Sequence, residues 1–224
     1  MMMKNKLWVF GCSLSTGMNG GGFYENEIIF PFILADKLGL ECINSSKPAR
    51  CNWTSILHFL DNKDEIKKGD VILFQFTFYD RYCVFPLTAQ LSDLKSYIKD
   101  IHNGHNGSVD GVSGLIKDYI FNWFVKHILN YCKTNNIELY CWSVEGQTHD
   151  EFNRYNELID FIPAPNSTAT KPNYSFYTKW QCEASDQHII EPNGNIDKHF
   201  NELGHQRMAN HFFEYINTYR KSLL

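Results

Sequence analysis

Asp197 and His199 stand two positions apart, just ahead of a run from Asn201 to Leu224 whose apolar residues recur at helical spacing. A carboxylate can fix the tautomer of an imidazole and stabilise its cation. An imidazole titrating near neutrality can in turn take a proton from a hydroxyl. A suitable hydroxyl lies at the other end of the chain, where Gly11-Cys12-Ser13-Leu14 follows the short apolar run Leu7-Trp8-Val9-Phe10. A serine is a poor nucleophile until a base removes its proton, and Ser13, His199 and Asp197 are the three groups that such chemistry requires. Taken separately, a serine after a strand is ordinary turn chemistry and Asp-x-His is an ordinary helix start. The two ends gain meaning only together.

Bringing them together is the task of the intervening elements, and their pattern alternates strand and helix. Leu7 to Phe10 reads as a strand buried on both faces of a parallel sheet. Glu27 to Leu38 carries Ile28, Phe32, Ala35 and Leu38 at helical spacing, with Pro31 tolerable only near the first turn. Glu41 to Asn44 is a short strand, Trp53 to Leu60 a helix, and Val71 to Thr77 the strongest strand in the chain. Leu115 to Tyr131 reads as a long helix, Ile137 to Val144 as a strand, and Asn201 to Leu224 as the closing helix. Such alternation predicts right-handed βαβ units in one α/β domain spanning residues 1–224. The expected architecture is a three-layer α/β/α sandwich around a parallel sheet of about five strands. Residues 80–113 break the rhythm as an insertion, and residues 145–180, with three prolines, as a long loop of the kind that walls a site. Ligands of open α/β sheets bind beyond the carboxyl ends of the strands, where Ser13 falls.

Bulk properties narrow the function. Hydrophobic residues make up 43% of the 224 and charged residues 21%, which are globular values and exclude general disorder. A net charge of −4 leaves no basic footprint for nucleic acid. Aromatic residues reach 15%, enough to fill a core or to face a sugar or acyl group. The seven cysteines show neither metal-ligand spacing nor a disulfide framework, so a reducing, cytoplasmic setting is expected. Gly11-Cys12 superficially ends a lipoprotein signal, but its apolar segment is too short for one. No run approaches a membrane span. His102 and His105 are three apart in a Gly- and Asn-rich stretch without neighbouring acids or cysteines, a poor metal site.

Several segments, taken in order, resemble the SGNH (GDSL-type) hydrolases, a family of esterases and acyltransferases. Gly11-Cys-Ser-Leu14 resembles the family's first block, Gly-Asp-Ser-Leu, with Cys12 in the aspartate place. Leu34-Ala35-Asp-Lys-Leu38-Gly39, Asn44 and Pro48-Ala49-Arg50-Cys51-Asn52 resemble the second block and its approach. Asp197-x-His199, with Leu203-Gly204-His205 and Met208-Ala209, is similar to the last block, one residue shorter than the usual Asp-x-x-His. The resemblance implies Ser13 as nucleophile, His199 as base and Asp197 as its acid partner, with no metal or organic cofactor. It also implies an oxyanion hole that includes the amides of Ser13 and Ala49, Ala49 occupying the place of a family glycine. The third block departs: Thr77-Phe78-Tyr79-Asp80 replaces Gly-x-Asn-Asp, so Tyr79 stands where an asparagine donor belongs. Losing one such donor typically costs about 10²–10³ in turnover. Gln75, Thr77, Tyr79 and Asn52 are the side chains placed to substitute. Arg81 could clamp a substrate carboxylate or phosphate, or be a surface arginine on the insertion. His205, at the start of the closing helix, reads as a packed or capping histidine.

The implied activity is removal of small acyl groups, such as acetyl, from a carbohydrate or similar polar ester. Acyl transfer through the same triad and non-catalytic binding on the same fold are the alternatives. A flavodoxin-like reading, with Ser13-Leu-Ser-Thr-Gly17-Met-Asn19 cradling FMN phosphate, leaves Asp197 and His199 without a role. Gly20-Gly-Gly22 lacks the spacing of a dinucleotide site. Tyr174, Phe176, Tyr177 and Trp180 could stack on a sugar or anchor their own loop.

Overall fold

The computed structural model describes residues 4–19, 22–48, 50–77, 122–144, 161–163 and 199–222. In chain order, strand β1 (Lys6–Phe10) leads into a single helical turn, α1 (Ser13–Thr16), and a small hairpin of β2 (Met18–Asn19) and β3 (Gly22–Phe23). A 3-10 turn (Asn26–Ile28) precedes helix α2 (Phe30–Leu38), followed by β4 (Glu41–Asn44), α3 (Asn52–Asn62) and β5 (Val71–Phe76). A π-helical stretch (Val125–Leu129) runs into α4 (Asn130–Asn135), then β6 (Glu138–Ser143) and the closing helix α5 (Glu202–Ser222).

The main sheet is wholly parallel, in the order β4-β1-β5-β6. Phe161 continues it by a parallel bridge to Cys141 of β6, so a fifth position begins there, inside the stretch expected as a long loop. Strand alternation sorts the core into two layers. Leu7, Val9, Val71, Leu73, Tyr140 and Trp142 pack with α2 and α5. Trp8, Phe10, Ile72, Phe74, Phe76 and Cys141 pack with α3 and α4. The predicted three-layer α/β/α sandwich is therefore the fold.

The foot of the sheet is pinned by a buried carboxylate. Asp70 accepts hydrogen bonds from the Lys6 N–H at 2.8 Å, the Trp8 indole at 3.0 Å and the Lys67 N–H at 3.0 Å. These bonds satisfy a charge that would be costly to bury alone, and they join β1 to the start of β5.

Boundaries differ from expectation in a few places. The helix predicted over 27–38 divides at Ile29, which is extended (φ −85°, ψ 142°), and α2 starts afresh with Pro31 in its first turn. Proline has no N–H to donate and fits a helix only there. Cys42 is half-buried on β4, the outer strand of the described sheet. The insertion at 80–113 lies outside the described residues, as does 145–180 apart from 161–163.

Candidate active site

Ser13 opens α1 at the carboxyl end of β1, and it is 7% exposed. Two glycines shape its surroundings. A Cβ on Gly11 would come within 2.3 Å of Gln75 Oε1, so the close approach of the two chains requires the missing side chain. Gly17 ends α1 at φ 71°, where a Cβ would also collide with Ile29 at 2.0 Å. Cys12, the residue before α1, is extended and offers no side-chain cap, leaving the first N–H groups of the turn available to an acceptor.

Three side-chain amides lace together the loops that follow β1, β4 and β5. The carbonyl of Gln75 accepts from the Cys12 N–H at 3.0 Å and the Ser15 hydroxyl at 2.6 Å. Its NH2 donates to Cys12 Sγ at 3.0 Å. Asn44 donates to the Ser15 carbonyl at 2.7 Å and accepts from the Ser46 N–H at 3.1 Å, clasping the first loop to the second. Asn52, the first residue of α3, accepts from the Thr77 N–H at 2.7 Å and donates to the Thr77 carbonyl at 3.1 Å. Arg50 closes the second loop with a bond to the Ser45 carbonyl. Of the side chains expected as oxyanion donors, Gln75 and Asn52 are thus fully buried, Gln75 turned onto Cys12 and Ser15 and Asn52 onto the Thr77 backbone, where they brace the loops. Thr77 is held by Asn52.

His199 stands three residues ahead of the closing helix. Asn201 accepts from the Gly204 N–H at 2.8 Å and starts α5. One turn on, His205 is buried, with the rings of Tyr24, Phe30 and Phe200 around it at 5.8, 6.1 and 5.7 Å. Its Nδ1 accepts from the Phe30 N–H at 3.4 Å, so it caps α2, whose Ile29 provides no side-chain cap. That bond assigns the proton to Nε2. Burial, and secondarily the neighbouring His199, push His205 down to about 3. It is a neutral structural histidine, in keeping with the packed or capping role expected. Tyr24, one of the rings around His205, donates its N–H to the Gly17 carbonyl at 2.9 Å.

Asp197, Ala49, Tyr79 and Arg81 lie outside the described residues, as do His102, His105 and the aromatics at 174–180. Among the described residues no group of three His, Cys, Asp or Glu side chains could hold a metal. Burial pushes the thiols of Cys42 and Cys132 up to about 12, far from a nucleophilic range. No described helix is long and apolar enough to cross a membrane. The bracing roles of Gln75 and Asn44 were not foreseen. Their signal was an amide side chain at or near the end of an apolar strand.

No protein-family model matches the sequence, and no curated protein does either. Solved structures match it in fold, among them two esterases. One is a carbohydrate esterase whose active site displays divergent catalytic and non-catalytic binding functions. It is 10% identical, over 97% of this chain and 66% of that one, with a TM-score of 0.53. Another is a psychrotrophic esterase from Pseudoalteromonas sp., 11% identical over 97% and 99% of the two chains, with a TM-score of 0.50. At such identities the likeness is one of fold.

Proposed function

We propose that the chain is a serine-dependent ester hydrolase that removes small acyl groups, acetyl foremost, from a carbohydrate or similarly polar substrate. The observation that carries this reading is the placement of Ser13. It sits in a tight turn at the carboxyl end of β1, braced by Gln75, and His199 stands three residues ahead of α5.

In this mechanism Ser13 Oγ attacks the ester carbonyl while His199 takes its proton, with Asp197 orienting the imidazole. The oxyanion is held by the backbone N–H groups of Ser13 and Ala49, joined by Tyr79 from the third loop. Collapse of the tetrahedral adduct breaks the bond to the alcohol, which leaves with the proton from His199. Water, deprotonated by His199, then attacks the acyl-enzyme and releases the acid and free Ser13. The chemistry requires no metal or organic cofactor. An acceptor hydroxyl in place of water turns the same intermediate to acyl transfer.

Ser13→Ala should abolish hydrolysis of p-nitrophenyl acetate and leave thermal unfolding nearly unchanged. Equal rates in variant and parent would remove the mechanism. One sequence feature favours a second reading, binding without catalysis: Tyr79 stands in place of the oxyanion asparagine. Covalent labelling of Ser13 by a serine-directed phosphonate decides between them, since only an activated hydroxyl reacts.

A further inference from the structure

We infer that Gln75 is a positioning residue that sets the orientation of Ser13, and that Cys12 and Ser15 are the handles through which it acts. The inference rests on the reading of Ser13 as the nucleophile. It begins with the strand. Val71, Leu73 and Gln75 point the same way along β5, and the first two belong to the apolar layer under α2 and α5. Gln75 is 0% exposed at the top of that layer. A buried amide is retained there only if its hydrogen bonds are made, and they are made to the α1 turn.

Those bonds bracket Ser13. Oε1 receives the N–H of Cys12, the residue before it, and the hydroxyl of Ser15, two residues after it. Nε2 donates to the Cys12 thiol. The amide's orientation follows, because the Cys12 N–H can only donate and must face the carbonyl oxygen. Gly11 completes the fit: the space its side chain would occupy is filled by the amide itself. The turn is therefore held on both sides of the reacting hydroxyl by one side chain from the neighbouring strand, through the Cys12 backbone N–H before it and the Ser15 hydroxyl after it. Gln75 touches neither the hydroxyl nor, in this reading, the substrate.

The test is Gln75→Leu, which keeps approximate size and removes all three bonds, beside Gln75→Glu, which keeps both acceptor contacts on Oε1. Each variant is assayed for kcat and KM on p-nitrophenyl acetate and for the rate of Ser13 labelling by an aryl ethyl phosphonate. In Gln75→Leu, kcat and the labelling rate should fall together by about 10²-fold, as for a nucleophile misplaced by about an ångström. KM should stay within about twofold, since ground-state binding is untouched. Gln75→Glu should recover most of the lost kcat, which a merely space-filling role would not predict. A folded Gln75→Leu protein with parental kcat and labelling rate overturns the inference. If that variant fails to fold, Ser15→Ala removes a single bond, and its kcat should fall several-fold; a parental kcat there overturns the inference equally. Absence of any Ser13 labelling in the parent sinks the nucleophile reading and this inference with it. Labelling of the parent that Gln75→Leu leaves equally fast sinks this inference alone.

Discussion

The two faces of the sheet are built from different materials. Under α3 and α4, Trp8, Phe10, Phe59, Phe74, Phe76 and Phe124 form a ring-on-ring layer, with Phe74 centred 4.9 Å from Phe124 and 5.0 Å from Phe76. Under α2 and α5 the layer mixes aliphatic side chains with the rings of Phe30, Trp142 and Phe212, and it turns polar at the carboxyl ends of the strands. Gln75, Ser15 and His205 are all buried there. Aromatic pairs add contact energy beyond their area and need no polar partners. One face is thus built mainly from rings, and the other adds buried polar groups at the strand ends. Strand alternation is the device that separates them, since neighbours in sequence face opposite layers.

Phe74 and Gln75 are such neighbours, and they give the sharpest way to break the comparison. Phe74→Ala should cost about 3–5 kcal/mol of unfolding free energy, the range for truncating a large buried ring. Urea denaturation would measure it. The kcat of the molecules that remain folded should be close to parental, the reverse of the pattern expected for Gln75→Leu. If Phe74→Ala instead spared stability and lowered kcat, the division of labour between the faces would be wrong.

The sequence made this sandwich legible because its strands are continuous apolar runs, which only a sheet covered on both sides accommodates. The strand predicted at Glu41 to Asn44 has those bounds, and α3 differs from its predicted range by one residue at the start and two at the end. Positions of buried aromatics followed from the same runs. Hydrogen-bond direction was not legible. Asp70 stands just ahead of a strand, and nothing local marks it for its three donors from β1 and the preceding turn. Gln75 reads as a candidate for the oxyanion, yet its amide is spent on the α1 turn, a pairing of residues 60 and 63 positions apart that no local pattern encodes. His205 reads as belonging to its own helix, whereas it caps α2 from 175 positions away.

That histidine provides the next test, directed at the polar face. His205 is neutral in the fold, its value lowered from 6.5 to about 3, whereas in the unfolded chain it titrates normally. Below pH 6.5 the unfolded state binds a proton that the native state refuses, so stability is present above that pH and lost as pH falls toward 3. Well inside that window the loss is about 1.4 kcal/mol per pH unit. His205→Gln keeps an acceptor for the Phe30 N–H and removes the titration. Its unfolding free energy, measured by urea from pH 7 to pH 4.5, should fall less steeply than the parent's by about that slope. Parallel acid limbs would show that His205 is charged or exposed, and the polar face would lose its dry centre.

The smallest effect is expected at the far end of α5, where the same face meets solvent. Arg220 pairs with Glu138 at 2.8 Å, and Glu138 also accepts from the Tyr140 hydroxyl at 2.8 Å. Their side chains remain 34% and 43% exposed, so water and salt screen the attraction. Glu138→Ala should therefore cost below about 1 kcal/mol, and less in high salt. Tyr140 is itself buried, but water entering the space vacated by the exposed Glu138 carboxylate would meet its hydroxyl, which keeps the loss small. A cost of several kcal/mol, insensitive to salt, would mean that this end of α5 is clamped as firmly as the end that presents His205. The contrast between a polar, chemically committed edge and a merely solvated one would then disappear, and α5 would have to be treated as a rigid strut along its whole length.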